Sequence, residues 1–137
     1  MIETELIVAL VGAGLAVLGG ITFMSRFTRK GLNREYFTGR WRTLQKGLNK
    51  KDAWPMAVIQ ADSLLDEALR KRRFKGKTMG ERLVSAQKTL SDNDTTWFAH
   101  KLRNKLVHEV DINLSQKDVQ KALVGFRQAL KDLGALK

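Results

Sequence analysis

TTWFAHKLRNKLVHEV, residues 95–110, is the stretch on which the reading of this chain turns. Its apolar residues Phe98, Ala99, Leu102, Leu106 and Val110 recur at spacings of three, four and one. At about 100° per residue, those positions gather on one side of an α-helix. Asn104 and His108, four residues apart, face the opposite side, with His100 near them. Arg103 sits on the border between the two faces. A helix with one apolar stripe has to bury it against other helices, so the stretch predicts a bundle.

Working outward, the same 3.6-residue period recurs on both sides. Phe37, Trp41, Leu44 and Leu48 form one stripe. Trp54, Val58, Ala61, Leu65, Ala68 and Leu69 form a second, with Asp52 as its candidate cap and Pro55 tolerated in its first turn. That helix runs into RKRRFKGK, residues 70–77, with Gly76 as the expected break. Thr78 and Glu81 have capping-box spacing and start a third helix. SDND, residues 91–94, reads as a loop before the fourth helix, placed over about 95–110. Ser115 and Asp118 open the fifth helix, whose stripe is Val119, Ala122, Leu123, Phe126, Leu130 and Leu133. Gly134 is its stop signal. No strand-like alternation competes. The soluble part is therefore expected to be all-α, a four- or five-helix up-down bundle over 35–137. The tryptophans Trp41, Trp54 and Trp97 are assigned to core packing.

The N-terminal part differs in kind. LIVALVGAGLAVLGGITFM, residues 6–24, carries no charge over 19 residues. As a helix it would span about 28 Å, close to a hydrocarbon core of about 30 Å. It reads as a transmembrane helix over 6–25. A cleaved signal peptide would want basic residues before the run, and Glu3 and Glu5 stand there instead. Arg26, Arg29, Lys30 and Arg34 follow it. The positive-inside rule then predicts an extracytoplasmic tail at 1–5, a basic linker at 26–34 and a cytoplasmic domain at 35–137, in a single-pass cell-membrane protein. Gly12, Ala16 and Gly20 recur every four residues, a spacing at which two membrane helices can approach closely. Glycine is also common in membrane helices generally.

The charge is unevenly spread. The chain has a formal net charge of +11 and no cysteine. Disulfides and thiolate metal sites are excluded. Residues 26–51 hold nine Lys/Arg against Glu35 alone, a net +8, and residues 52–137 a milder +5. A basic cluster beside a bilayer attracts anionic lipid by about 1 kcal/mol per residue. Topology thus explains most of the excess. The run Arg70, Arg72, Arg73, Lys75 and Lys77, with Lys71, is either a cation-rich helix terminus or a phosphate contact. His100 and His108 are eight residues apart, about 12 Å along a helix, too far to share a metal ion. No metal or other cofactor is expected.

Arg103-Asn104-x3-His108 resembles the signature of the HEPN superfamily (higher eukaryote and prokaryote nucleotide-binding domains). In that superfamily an arginine, often followed by a polar residue, precedes a histidine on the penultimate helix of a small all-α bundle. The resemblance covers about residues 35–137. It implies RNA or nucleotide binding, and metal-independent RNA cleavage in its catalytic members. By that resemblance His108 would be the general acid/base, Arg103 would hold the scissile phosphate and Asn104 would orient the pair. His100 and Lys105 are further candidate phosphate contacts. Histidine titrates near neutral pH, and arginine offers a fixed planar fork to phosphate oxygens. HEPN ribonucleases usually set two motifs face to face, so one motif per chain implies a homodimer. Val110 stands where one toxin branch tends to carry tyrosine, which argues against that branch.

Each residue also has a plainer role open to it. Asp62, on the border of the second helix's stripe, could pair with Arg103. His108 could simply favour a helix C-terminus through the dipole. Arg103 and His108 leave a straight helix about 140° apart, so one chain alone does not readily close them on one small substrate. A non-catalytic, membrane-tethered adaptor is the alternative function, and a lipid-surface protein that acts mainly through its basic segment is a third.

Overall fold

The computed structural model describes residues 31–137. The candidate membrane helix over 6–25, with Gly12, Ala16 and Gly20, lies outside the described residues. Among the described residues no helix is long and apolar enough to cross a membrane.

Residues 32–137 form one compact all-α unit of five helices. Helix α1 spans Arg34–Gln45 and buries Phe37, Trp41 and Leu44. Asn33 caps it, accepting from the Tyr36 amide at 3.2 Å. A 3-10 turn at Lys51–Ala53 leads into α2, Trp54–Lys71. Asp52 falls inside that turn and does not cap α2. The N-cap is Ala53, without a side-chain hydrogen bond. Pro55 compensates in the first turn, where a missing N–H has no helical partner to lose. Leu48, beyond the end of α1, packs partly buried on the core, and its carbonyl accepts from Trp54 Nε1 at 2.8 Å.

Helix α2 stops at Lys71, earlier than Gly76 suggests. Arg73 adopts a left-handed φ of 60°. The Phe74 amide then reaches Leu69 O at 3.1 Å and the Arg73 amide reaches Arg70 O at 2.9 Å. This pair of bonds is a Schellman motif. Helix α5, Gln116–Asp132, ends in the same pattern, with Gly134 at φ 83° and Ala135 N bonded to Leu130 O at 2.8 Å. Thus two helices close alike, one with glycine and one with arginine in the position that costs an L-residue about 1–2 kcal/mol. Arg73→Gly is expected to stabilise the domain by about 0.5–1 kcal/mol, after the extra chain entropy of glycine is deducted. Chemical denaturation measures it. An unchanged or lower stability would show that the arginine is held there by favourable contacts.

Helix α3, Met79–Ser85, starts with the anticipated capping box between Thr78 and Glu81. Helix α4 spans Asn93–His108, starting before Thr95 and ending before Val110. Asp92 caps it, accepting from Thr95 N at 3.0 Å. Hydrogen bonds from the side chain and the backbone N–H of Thr95, aided by Lys121, hold the Asp92 carboxyl below the usual range. The cap is therefore complete above the ordinary carboxylate pKa and weakens as pH falls through the lowered value. In acid, Asp92→Asn is expected to lose less stability than wild type as pH drops. Parallel acid titrations of the two would read this.

The core joins Phe37 and Trp41 of α1, Val58, Leu65 and Leu69 of α2, Leu83 of α3, Ala99 and Leu102 of α4, and Phe126 and Leu130 of α5. Helix α4 packs against both α2 and α5. Its buried arc is wider than its apolar stripe, taking in Thr96 and His100. Val110, assigned to the stripe by its spacing, follows the helix end and is 97% exposed.

Candidate functional site

The polar face of α4 does not lie free. Asp62, in the middle of α2, is 3% exposed and holds two residues of α4 at once. His100 Nδ1 is 2.8 Å from Asp62 Oδ1. Arg103 Nε lies 3.4 Å from Asp62 Oδ2, a charge contact whose N–H direction misses hydrogen-bond geometry. Arg103 Nη1 donates to Asn104 Oδ1 at 3.0 Å, and Asn104 Nδ2 lies 3.5 Å from His100 Nε2. These contacts close a ring of four side chains. An ionised carboxylate can only accept, so His100 donates from Nδ1 to Asp62. Trp97 meets the imidazole in a T-shaped contact, with ring centroids 5.9 Å apart.

An open groove of roughly 470 Å³ runs past this ring, lined by Asp62, Asp66, Arg82, His100, Arg103 and Asn104 among others. On its α3 side Arg82 grips Asp66 bidentately, at 2.7 and 3.1 Å. Arg70 approaches the same carboxylate at 3.5 Å. Arg70, the first residue of the basic run, thus meets the groove only through Asp66.

The sequence-predicted residues divide as follows. Arg103 and Asn104 are together and partly buried, with the Arg103 side chain 31% exposed. His100, expected as a phosphate contact, is 8% exposed and has both nitrogens engaged within the ring. His108 is the exposed last residue of α4, and among the described residues it makes no side-chain hydrogen bond or ion pair. Lys105 is exposed. Arg72 spends Nη1 on the Leu133 carbonyl at the end of α5, at 2.6 Å. Arg73, Lys75 and Lys77 project from the loop after α2, exposed and without acidic partners within 4 Å among the described residues.

Sequence reasoning gave Asp62 a single partner and missed that it also holds His100. The signal was available: His100 and Arg103 are three apart on α4, adjacent on the helix surface. Arg82 and Asp66 were not singled out by any motif. Among the described residues no group of three or more His, Asp or Glu could hold a metal ion. No known protein family, curated protein or solved structure matches the chain.

Proposed function

We propose that this chain is a membrane-anchored HEPN-like module whose helical domain lies in the cytoplasm and binds RNA or nucleotide phosphate along the α4 groove. The observation that supports this is the way Asp62 holds Arg103. The carboxylate restrains the guanidinium by its Nε edge, and Nη1 rests on Asn104. Arg103 lines the groove, and its Nη2 makes no hydrogen bond or ion pair among the described residues, so that edge is free to meet a phosphate oxygen. A positioned arginine loses less entropy on binding than a free one, and a charge-assisted bond to phosphate is among the strong ones. Arg70, Lys75 and Lys77 would extend the contact along the backbone of a single strand.

Cleavage would require more than this groove. His108 ends α4, and its approach to a phosphate held by Arg103 depends on a second copy of the helix, hence a homodimer. In that arrangement His108 takes the proton of the 2′-hydroxyl as its oxygen attacks the adjacent phosphorus, and the 5′-oxygen leaves with a proton returned to it. The non-catalytic adaptor keeps specific support. Arg103 is tied to Asp62, and His108 stands alone.

Anisotropy of labelled single-stranded RNA with the full chain in neutral-detergent micelles, in EDTA, separates these readings. Arg103→Ala is expected to weaken binding by about tenfold, the loss of one charge-assisted phosphate contact. Cleavage that disappears in His108→Ala would make the module a ribonuclease. Absence of RNA binding by the wild-type chain at low salt would leave the adaptor.

A further inference from the structure

A second cleft, larger than the α4 groove, shares no lining residue with it. It lies along α1 and the end of α5, with a volume of roughly 840 Å³. Arg34, Arg42 and Arg127 line it, above a floor that includes Trp41 and Leu136. None of the three guanidiniums has an acidic partner within 4 Å among the described residues. Glu35 also lines the cleft but stays beyond that distance. The two arginines that border the α4 groove, by contrast, are matched, Arg82 by Asp66 and Arg103 by Asp62.

Two further observations point the same way. Trp41 Nε1 is buried and has no acceptor among the described residues. A buried donor left without a partner is destabilising, so natural proteins rarely keep one without a reason. Gly39, in the middle of α1, also lines the cleft, and a Cβ there would meet nothing within 4 Å. Glycine in a helix interior weakens it relative to alanine. No close packing in the domain requires this one. A larger side chain there would have room to extend beside the cleft.

Arg34 spends its Nε on the Gly134 carbonyl at 3.3 Å, but none of the three guanidiniums meets a carboxylate among the described residues. Guanidiniums without acidic partners beside a partly apolar lining fit a phosphate ester that carries a less polar body. We propose that this cleft binds the phosphate headgroup of an anionic phospholipid. Arg34 and Arg42 belong to the basic segment that follows the apolar run 6–24, and α1 begins ten residues after Met24. The choice of lipid as the source of phosphate rests on the membrane-anchored reading; the cleft itself does not.

The test uses the full chain in neutral-detergent micelles, titrated with dioctanoyl phosphatidylglycerol, dioctanoyl phosphatidylcholine and inorganic phosphate, and read by calorimetry. Saturable binding of phosphatidylglycerol in preference to phosphatidylcholine is expected. Arg42→Ala with Arg127→Ala, both at exposed positions, should weaken it by about tenfold. Gly39→Leu should block it by filling the cleft while leaving the helix intact. The charge-matched pair Lys88→Ala with Lys117→Ala, exposed and outside the cleft, should not change it. Equal losses in both pairs would overturn the site, because charge alone would then explain binding. Inorganic phosphate binding as tightly as the lipid would overturn the lipid assignment. Failure of RNA binding at Arg103 has no bearing on either result, so the two proposals fail separately.

Discussion

Asp62→Ala is expected to lower the stability of the helical domain by about 3 kcal/mol. Asp62 is almost completely buried and satisfies His100 while facing the Arg103 guanidinium. Its removal strands the His100 Nδ1–H in the α2–α4 interface, which costs about 1–3 kcal/mol. It also leaves Arg103 without its counter-charge. The partly exposed Arg103 side chain can swing toward water, which places the total at the low end of what breaking a buried pair costs. For a domain of this size the melting temperature should fall by about 15 °C. Asp62→Asn should be milder, because an amide oxygen can still accept from His100 but carries no charge. A cycle with Arg103→Ala isolates the coupling between the two residues. A loss below about 1 kcal/mol for Asp62→Ala would mean that the ring in the structure contributes little to folding.

Gly125→Ala should be the second most damaging of these substitutions, at about 2 kcal/mol net. Gly125 is buried on α5 where that helix crosses the first turn of α4. A Cβ there would lie 2.8 Å from both Thr95 O and Thr95 Cγ2 and 3.0 Å from Thr95 C. Two of the three obstacles are backbone atoms, which cannot rotate aside. The helices would have to separate, at an overpacking cost of about 3 kcal/mol. Alanine's better helix propensity returns about 1 kcal/mol. Thr95→Ala should rescue little of the loss, because it removes Cγ2 and leaves the carbonyl in place. Equilibrium unfolding of the two single variants and the double variant checks this. Full rescue by Thr95→Ala would assign the clash to the side chain.

Several parts of this architecture were legible in the residues. Apart from the partly buried Leu48 and Trp54, the stripes of α1, α2 and α5 fall on buried positions because each of those helices presents essentially one apolar face. The capping box at Thr78 and the stop at Gly134 are local chemistry, so they survive tertiary packing. The end of α2 was less legible, since nothing local marks Arg73 as the residue that turns left-handed while a glycine stands three positions on. Helix α4 misled for another reason. It is packed on two sides, and the second side is polar. An apolar stripe locates only the face toward the hydrophobic core, whereas the face toward α2 is closed by Asp62, His100 and Arg103. Asp62 was named as a partner for Arg103 from its position on the border of a stripe. The groove with Arg82 and Asp66 was not, because it joins residues from three helices with no common spacing. The cleft beside Trp41 was likewise invisible, since it depends on what α5 brings near α1.

Helix α4 is held unevenly along its length. Thr95 meets Gly125 at its start and the Asp62 ring grips its middle, but Val107 and His108 in its final turn are exposed. Few tertiary contacts protect that turn, so its amides should open by local fraying, independently of global unfolding. Hydrogen exchange should then be fast at Val107 and His108 and slow at Leu102, giving a gradient of protection within one helix. His108 therefore belongs to a segment of low local stability, whereas Arg103 belongs to the rigid scaffold. Any ligand that engages both residues must order the final turn, and its binding will show as slowed exchange there first.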